Sequence, residues 1–291
     1  MRYEGPIYRP PSEADSLLIQ ATVGCPHNLC TFCMVYKSGI KFKVRPVAAI
    51  KADLDEAAAD CDSRVRTLFF PAGNTIAMPT ASLAEICRYS YTRFPHLQRI
   101  TVYGSSHYIH HKGADQLNTL ARAGLGRIHV GVESGDDAIL TRIRKGATAT
   151  DHIAAGQLAR AAGIEINAYV ILGIGGQKRT ESHAQQTARV INEMQPDVVR
   201  LRTFVPKVNT PLLEEVQAGR FQMLNPHQVL AETLALISQI AIPIVVTSDH
   251  YTNYLDVAGQ LPDDREIMLG KLRQALSRDE SAFRPFFIGT Q

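Results

Sequence analysis

The sequence predicts an α/β protein built on a parallel sheet, with a C-terminal α/β extension. Over residues 16–206, six short apolar runs of strand character alternate with segments of helical period, the pattern of parallel strands joined by right-handed crossovers. Most of these runs end in a turn rich in glycine or polar residues. The chain has 291 residues, 45% of them hydrophobic, which is ample for one α/β barrel of about 200–250 residues plus an extension.

Residues 1–15, with Pro6, Pro10 and Pro11 among polar groups, read as an irregular lead-in. Residues 16–23 form a first strand that delivers the chain into a cysteine-bearing loop. The basic residues Lys41, Lys43 and Arg45 beyond that loop are most simply a solvated rim, with contact to an anionic substrate second. Ala49, Ile50, Leu54, Ala57 and Ala58 give a helical period to about residue 60, and residues 65–70 are the second strand. A helix over 80–93 stops at Phe94-Pro95, since the residue before proline disfavours helical backbone. Residues 100–103 are the third strand, and the helix over 114–123 ends at Gly124. His107, His110 and His111 fall between them, most simply in a solvated loop. The fourth strand covers 127–132, and Ile139, Leu140 and Ile143 mark a helical segment after it. A further helix runs to Gly163, the fifth strand covers 164–172, a helix covers 180–194, and the sixth strand covers 198–204. Beyond it come a helix over 226–240, a strand over 243–247, a polar segment around Asp249 to Tyr254, and a last helix over 265–277.

Cys25, Cys30 and Cys33 lie within nine residues, spaced C-x4-C-x2-C, and account for three of the five cysteines. Three thiolates on one loop can hold three irons of a cubane cluster and leave the fourth iron open, whereas an electron carrier normally has four protein thiolates. A structural zinc site closed by four ligands and a set of ordinary buried thiols are the competing readings. Cys61 and Cys87 fall in predicted helices and are most simply buried. Such cysteine usage implies no disulfide framework and suits a reducing cytoplasm. A formal charge of +3 leaves a nucleic-acid partner open without demanding one. No apolar run approaches a membrane span, and the first residues lack the apolar core of a signal peptide, so a cytoplasmic protein away from the membrane is expected.

With these motifs in view, residues 16–206 resemble the radical S-adenosylmethionine (SAM) superfamily, in particular elongator-, HemN- and MiaB-like members. The resemblance implies a partial (β/α)6 TIM-like barrel, a [4Fe-4S] cluster held by Cys25, Cys30 and Cys33, and SAM as second cofactor. It implies reductive cleavage of SAM to a 5′-deoxyadenosyl radical that abstracts hydrogen from a substrate. Phe32 matches the aromatic position that contacts adenine, and the turn with Gly73, Asn74 and Thr75 matches the one that binds the amino end of SAM. Glu133, in Gly131-Val132-Glu133-Ser134-Gly135, matches a SAM-facing polar position; Lys145 matches a basic position that can pair with the methionine carboxylate, with Arg142 and Arg144 as competitors. Ser105 stands where relatives often carry an acidic ribose contact, and Gly173 and Gly175 match a segment that packs on adenine. That segment lacks the Gly-Lys-Ser/Thr of a P-loop. The four residues between Cys25 and Cys30, where most members have three, raise a second possibility: cleavage of a different C–S bond of SAM, of aminocarboxypropyl type. A zinc-stabilised binding protein without turnover is the alternative of another class.

Cys61 and Cys87 alone cannot hold an auxiliary cubane, which disfavours a methylthiotransferase or a multi-cluster maturation enzyme. With no cobalamin-binding domain before the core and no nucleic-acid appendage after it, a small-molecule substrate is favoured, with a reductant such as flavodoxin or ferredoxin as partner. The expected organisation is a lead-in over 1–15, the core over 16–206, and an extension over 207–291 that covers the barrel on the substrate side. In the extension His250, Tyr251 and Tyr254 are candidates for moving protons or hydrogen atoms, with Asp249 and Asn253 beside them. A capping loop whose polar groups satisfy buried backbone is the competing reading.

Overall fold

The structure is a computed structural model that describes residues 2–37, 39–61 and 64–290. The chain divides into two compact units: residues 1–28, 35–130 and 158–166 form the first, and residues 29–34, 131–157 and 167–291 the second.

In the first unit the parallel strands β1 (Leu17–Leu18), β4 (Thr67–Phe70), β5 (Arg99–Gly104) and β6 (Leu125–Glu133) pair in that order. Gly131, Val132 and Glu133 at the end of β6 belong to the second unit. Leu68, Phe69, Ile100, Val102 and Ile128 are wholly buried, as expected of parallel strands covered on both faces. Helices α1 (Val47–Cys61) and α2 (Thr80–Arg93) add Ile50, Leu54, Leu83 and Ile86 to this core. Helix α3 (Ser106–Arg122) breaks regularity at Gly113, where φ is +64°. His107, His110 and His111 therefore sit on a helical turn rather than in a loop.

The first strand is shorter than the sequence suggests. Ile19 donates its N–H to Phe69, and the chain then leaves the sheet so that β2 (Thr22–Val23) pairs antiparallel with β3 (Lys43–Val44). Arg45 braces the chain on this path. Its guanidinium donates to the Gln20 carbonyl at 2.6 Å and pairs with Asp53 at 2.7 Å. Arg45 is buried, so the solvated-rim reading fails for it, while the exposed Lys43 pairs with Glu4. The lead-in also carries a buried carboxylate: Glu13, at the end of a short 3-10 turn, meets His129 of β6 at 3.1 Å and Ser16 at 2.6 Å.

In the second unit β7 (Glu165–Leu172), β8 (Val198–Thr203) and β9 (Ile244–Thr247) are parallel neighbours, and β10 (Gly259–Leu261) joins β9 antiparallel. Helices α4 (Asp137–Arg142), α5 (Ala149–Ala161, of which residues 158–161 belong to the first unit), α6 (Thr180–Met194), α7 (Pro211–Gln217), α8 (Pro226–Gln239) and α9 (Arg265–Leu276) follow in chain order. Local sequence fixes their starts. The Asp136 carboxylate accepts from Ala138 and Ile139 to cap α4, and Asn225 with Gln228 forms a reciprocal capping box ahead of Pro226 on α8. The segment 207–291 falls within this second unit, together with β8 and most of β7.

Candidate functional site

Cys25, Cys30 and Cys33 are partly exposed thiols, whereas Cys87 is fully buried and burial pushes its pKa up to about 12. In the first unit, Gly24 adopts φ +74° just before Cys25 and its carbonyl accepts from Gly73 N–H at 3.1 Å. A Cβ on Gly73 would stand 2.7 Å from Cys25 Cβ and 2.6 Å from the Tyr36 ring, so only glycine allows this approach. In the second unit, Thr31 is held from both sides: its N–H donates to Ile143 at the end of α4, and its carbonyl accepts from Leu212 of α7. The cysteine-bearing segment 29–34 is thereby fixed between Cys30 and Cys33.

Phe32 packs against a cluster that includes Ile139, Ile143, Ile174 and Phe204. Gly175 lies against the same cluster, with Ile139 Cδ1 only 2.7 Å from where its Cβ would be. Gly173 (φ +78°) gives its N–H to the buried Glu232 carboxylate at 2.6 Å, and Thr180 donates to the other oxygen at 2.6 Å. Sequence reasoning passed over Glu232, which looks like any polar residue on a helix until this pairing is seen.

Glu133 ends β6 in left-handed backbone (φ +64°), and its Oε1 accepts from Lys145 Nζ at 2.8 Å with both side chains about nine-tenths buried. Of the two competitors, Arg142 is tied at the surface to Glu215 at 2.7 Å and lies over the Phe221 ring. Beside Glu133, Ser134 meets the buried His183 at 2.9 Å, and Gly135 N–H donates to Thr187 at 2.9 Å. No sequence motif pointed to His183.

In the first unit Asn74 and Ser105 hold each other: Asn74 Nδ2 donates to Ser105 Oγ, and Ser105 N–H donates to Asn74 Oδ1, both at 3.1 Å. Thr75 is buried and its hydroxyl donates to the carbonyls of Phe70 and Pro71, which ties down the turn.

The polar segment after β9 does two jobs. Asn253 is structural, donating to the carbonyls of Leu201 and Ser248 while accepting from Thr203. Tyr254 packs its ring under the Arg284 guanidinium at 4.1 Å. His250 is half-buried, Tyr251 beside it is 61% exposed, and Asp249 pairs with Arg200.

Among the described residues no three His, Cys, Asp or Glu side chains stand together as a ready metal group. The assignment of a metal to Cys25, Cys30 and Cys33 therefore rests on their number, spacing and exposure. As a donor set, three accessible thiols on a glycine-backed loop fit an iron–sulfur cluster.

Comparison with known proteins agrees. A family model described as the radical SAM superfamily matches residues 19–191. An uncharacterized protein of Methanocaldococcus jannaschii is 24% identical over 72% of this chain and 66% of its own length. The radical S-adenosylmethionine methyltransferase TsrM of Kitasatospora setae, solved with cobalamin and a [4Fe-4S] cluster, is similar in fold with a TM-score of 0.58 and 17% identity, over 70% of this chain and 39% of TsrM. Methylornithine synthase PylB matches with a TM-score of 0.56 and 16% identity over 88% of this chain and 68% of its own. HemN of Escherichia coli, a coproporphyrinogen III oxidase, matches with a TM-score of 0.55 and 20% identity over 77% and 52%. The chain thus spans less than two thirds of the curated relative and well under half of TsrM. Its fold is α/β with mostly parallel strands, as in the partial barrels of these enzymes.

Proposed function

The chain belongs to the radical SAM superfamily of enzymes, and on that premise we propose that it reductively cleaves SAM and abstracts hydrogen from a small-molecule substrate. The observation that carries this reading is the set of three accessible thiols at Cys25, Cys30 and Cys33, set against the inert buried Cys87. When bound by these thiolates, a [4Fe-4S] cluster supplies the electron that cleaves SAM to methionine and a 5′-deoxyadenosyl radical.

The chain's own residues orient and shield. Thr31, fixed through its backbone to Ile143 and Leu212, holds the loop segment that carries two of the thiolates. Phe32 offers a ring to the adenine, and the segment with Gly173 and Gly175, drawn close to Ile139 of the cluster around Phe32, packs on the same base. Glu133 accepts from the amino group or ribose of SAM, and Lys145 meets the methionine carboxylate, each already turned toward the other's charge. Gly73 and the Asn74–Ser105 pair present backbone and amide groups to the amino end and the ribose. The segment 207–291 is the substrate side of the enzyme. A reductant such as flavodoxin or ferredoxin delivers the electron. No helix of the described residues is long and apolar enough to cross a membrane.

A second reading rests on the extra residue between Cys25 and Cys30. Asn28 takes left-handed backbone (φ +42°) and is held by its side chain to the Tyr36 carbonyl at 3.0 Å. On this reading the altered loop path goes with cleavage of a different C–S bond of SAM, of aminocarboxypropyl type. The test is anaerobic reconstitution with iron and sulfide, reduction with dithionite, addition of SAM, and chromatography of the nucleosides formed. The main reading expects 5′-deoxyadenosine; methylthioadenosine supports the second; intact SAM overturns both.

A further inference from the structure

Along β8 the residues alternate between two faces. Leu172 of β7 and Thr203 of β8 line a small cavity with Val229 and Thr233 of α8, which places the helices on that side. Arg200 and Arg202 are on the opposite face of β8. In register there, Arg200 is flanked by Tyr169 of β7 and Thr247 of β9, and Arg202 by Ile171 of β7. Two arginines therefore stand on one face of a strand near its C-terminal end, where an apolar core strand would carry Val or Ile.

Their partners are unequal. Arg200 is buried and bonded to Asp249. Arg202 is partly buried and has no ion-pair or hydrogen-bond partner among the described residues. Thr247, across from Arg200, keeps a buried hydroxyl with no hydrogen-bond partner among them. Lys207, just past β8, lies 3.4 Å from the Tyr251 hydroxyl, and the rings of Tyr251 and His250 are 4.5 Å apart. His250 Nδ1 accepts from the Thr252 N–H at 3.3 Å and meets the Thr252 hydroxyl at 2.8 Å, which leaves Nε2 to carry the proton. Burial, followed by the charges of Arg202, Arg200 and Lys207, pulls His250 down to about 4, against the opposing charge of Asp249. Arg202, Arg200 and Lys207 thus all act on one imidazole, and the nearby Asp249 is already engaged by Arg200. A guanidinium left unpaired at a partly buried place, as Arg202 is among the described residues, is costly unless an anion completes it.

We propose that Arg202, Lys207 and the Nε2–H of His250 bind an oxyanion, a carboxylate or a phosphate, carried by the substrate. The term substrate rests on the radical SAM reading, while the anion site itself rests only on these residues. Arg202 offers a planar fork that suits either group, with Lys207 as a point charge and His250 as a neutral donor. The segment around His250 is held rigidly by Asn253 and by Arg284, which donates to the Thr252 carbonyl at 2.9 Å. Its donors are therefore set in place before the anion arrives, which lowers the entropy lost on binding.

The test titrates inorganic phosphate and, separately, succinate into the full-length protein at low salt, following the His250 ring resonances by NMR and binding by calorimetry. At least one of the two anions should bind and raise the His250 pKa, since a bound anion favours imidazolium. The preferred anion names the group on the substrate. Arg202→Gln should weaken binding on the order of tenfold, the worth of a charge-assisted hydrogen bond. Arg202→Lys should recover part of the loss, and circular dichroism should show both variants folded. SAM affinity, measured in parallel, should be the same in wild type and Arg202→Gln. Binding of neither anion, or binding indifferent to Arg202→Gln and to His250→Gln, overturns the proposal. So does a matching loss of SAM affinity, because the anion met by Arg202 would then be the carboxylate of SAM. Arg202-dependent anion binding in a protein that leaves SAM intact supports the site and overturns only its link to radical chemistry.

Discussion

Lys145 Nζ donates a 2.8 Å hydrogen bond to Glu133 Oε1, and the pair is largely shielded from solvent at the end of β6. Glu133 reaches this position through left-handed backbone, two residues after Gly131, whose missing Cβ leaves room for the Lys145 ammonium. An ion pair so placed costs desolvation, and breaking it from one side strands a buried charge. Lys145→Met should therefore destabilise the fold by about 3–5 kcal/mol, read as a lower denaturant midpoint. Glu133→Gln keeps an acceptor for Lys145 and should cost less, while SAM affinity drops on the order of tenfold with the loss of a charged hydrogen-bond partner. Equal SAM affinity in wild type and Glu133→Gln would show that Glu133 has only a structural role.

Gly73 tests the cysteine loop at Cys25. Gly73→Ala puts a methyl against Cys25 and Tyr36, and one of them has to move. The expected result is a folded protein whose reconstituted iron content falls well below that of wild type, measured by metal analysis. Gly270→Ala, at a position with open space around it, is the control and should leave iron unchanged.

Thiol reactivity should separate the cysteines without any cluster present. In the native metal-free protein iodoacetamide should modify Cys25, Cys30 and Cys33, while Cys87 reacts at least about tenfold more slowly because its thiol is buried and held protonated. Peptide mass spectrometry reads this directly. The Cys61 side chain lies outside the described residues.

Acid should weaken the fold in two stages. Burial lowers the pKa of His152 from 6.5 to about 3 and lowers that of His129 as well. The unfolded chain therefore takes up protons at these sites first, and stability is lost as pH falls below about 6.5. For Glu13, burial alone would raise the carboxyl, but hydrogen bonds from His129 and Ser16 and the charges of His129 and Arg99 outweigh it and hold the pKa at about 2. That contribution is present above the ordinary value of 4.5 and disappears between there and about 2. Glu13→Gln should lower stability at neutral pH by about 1–3 kcal/mol and flatten the lower stage, measured as denaturant midpoints across pH.

The parts of the fold that local chemistry encodes were legible in the sequence. Helix α2 runs from Thr80 to Arg93 as read, because prolines at 79 and 95 bracket it. The strands with continuous apolar runs also lie where expected. The missed features depend on residues far apart in sequence. Glu13 and His129 are 116 positions apart, and neither reads as a buried partner alone. Past the break after Ile19, Arg45 reaches the Gln20 carbonyl from 25 positions away, and helix α7, unassigned from sequence, matters because Leu212 reaches back to Thr31. The histidines after β5 looked like a loop because Gly113 interrupts the helical pattern that in fact begins at Ser106. At the candidate site the structure pairs Glu133 with Lys145 and Asn74 with Ser105, residues that the motifs had named separately for contacts with SAM. The motifs gave no hint of Glu232 under Gly173 or of His183 behind Ser134, since a buried brace leaves no local signature.

Electron paramagnetic resonance of the reduced, reconstituted protein, with and without SAM, tests the central claim most directly. The account predicts a [4Fe-4S]+ signal whose g-values shift when SAM is added, because an iron left open by only three thiolates takes SAM as its ligand. It also predicts that Cys30→Ala abolishes the signal. A cluster spectrum unchanged by saturating SAM, or a reconstituted protein that carries zinc and gives no signal, would contradict it.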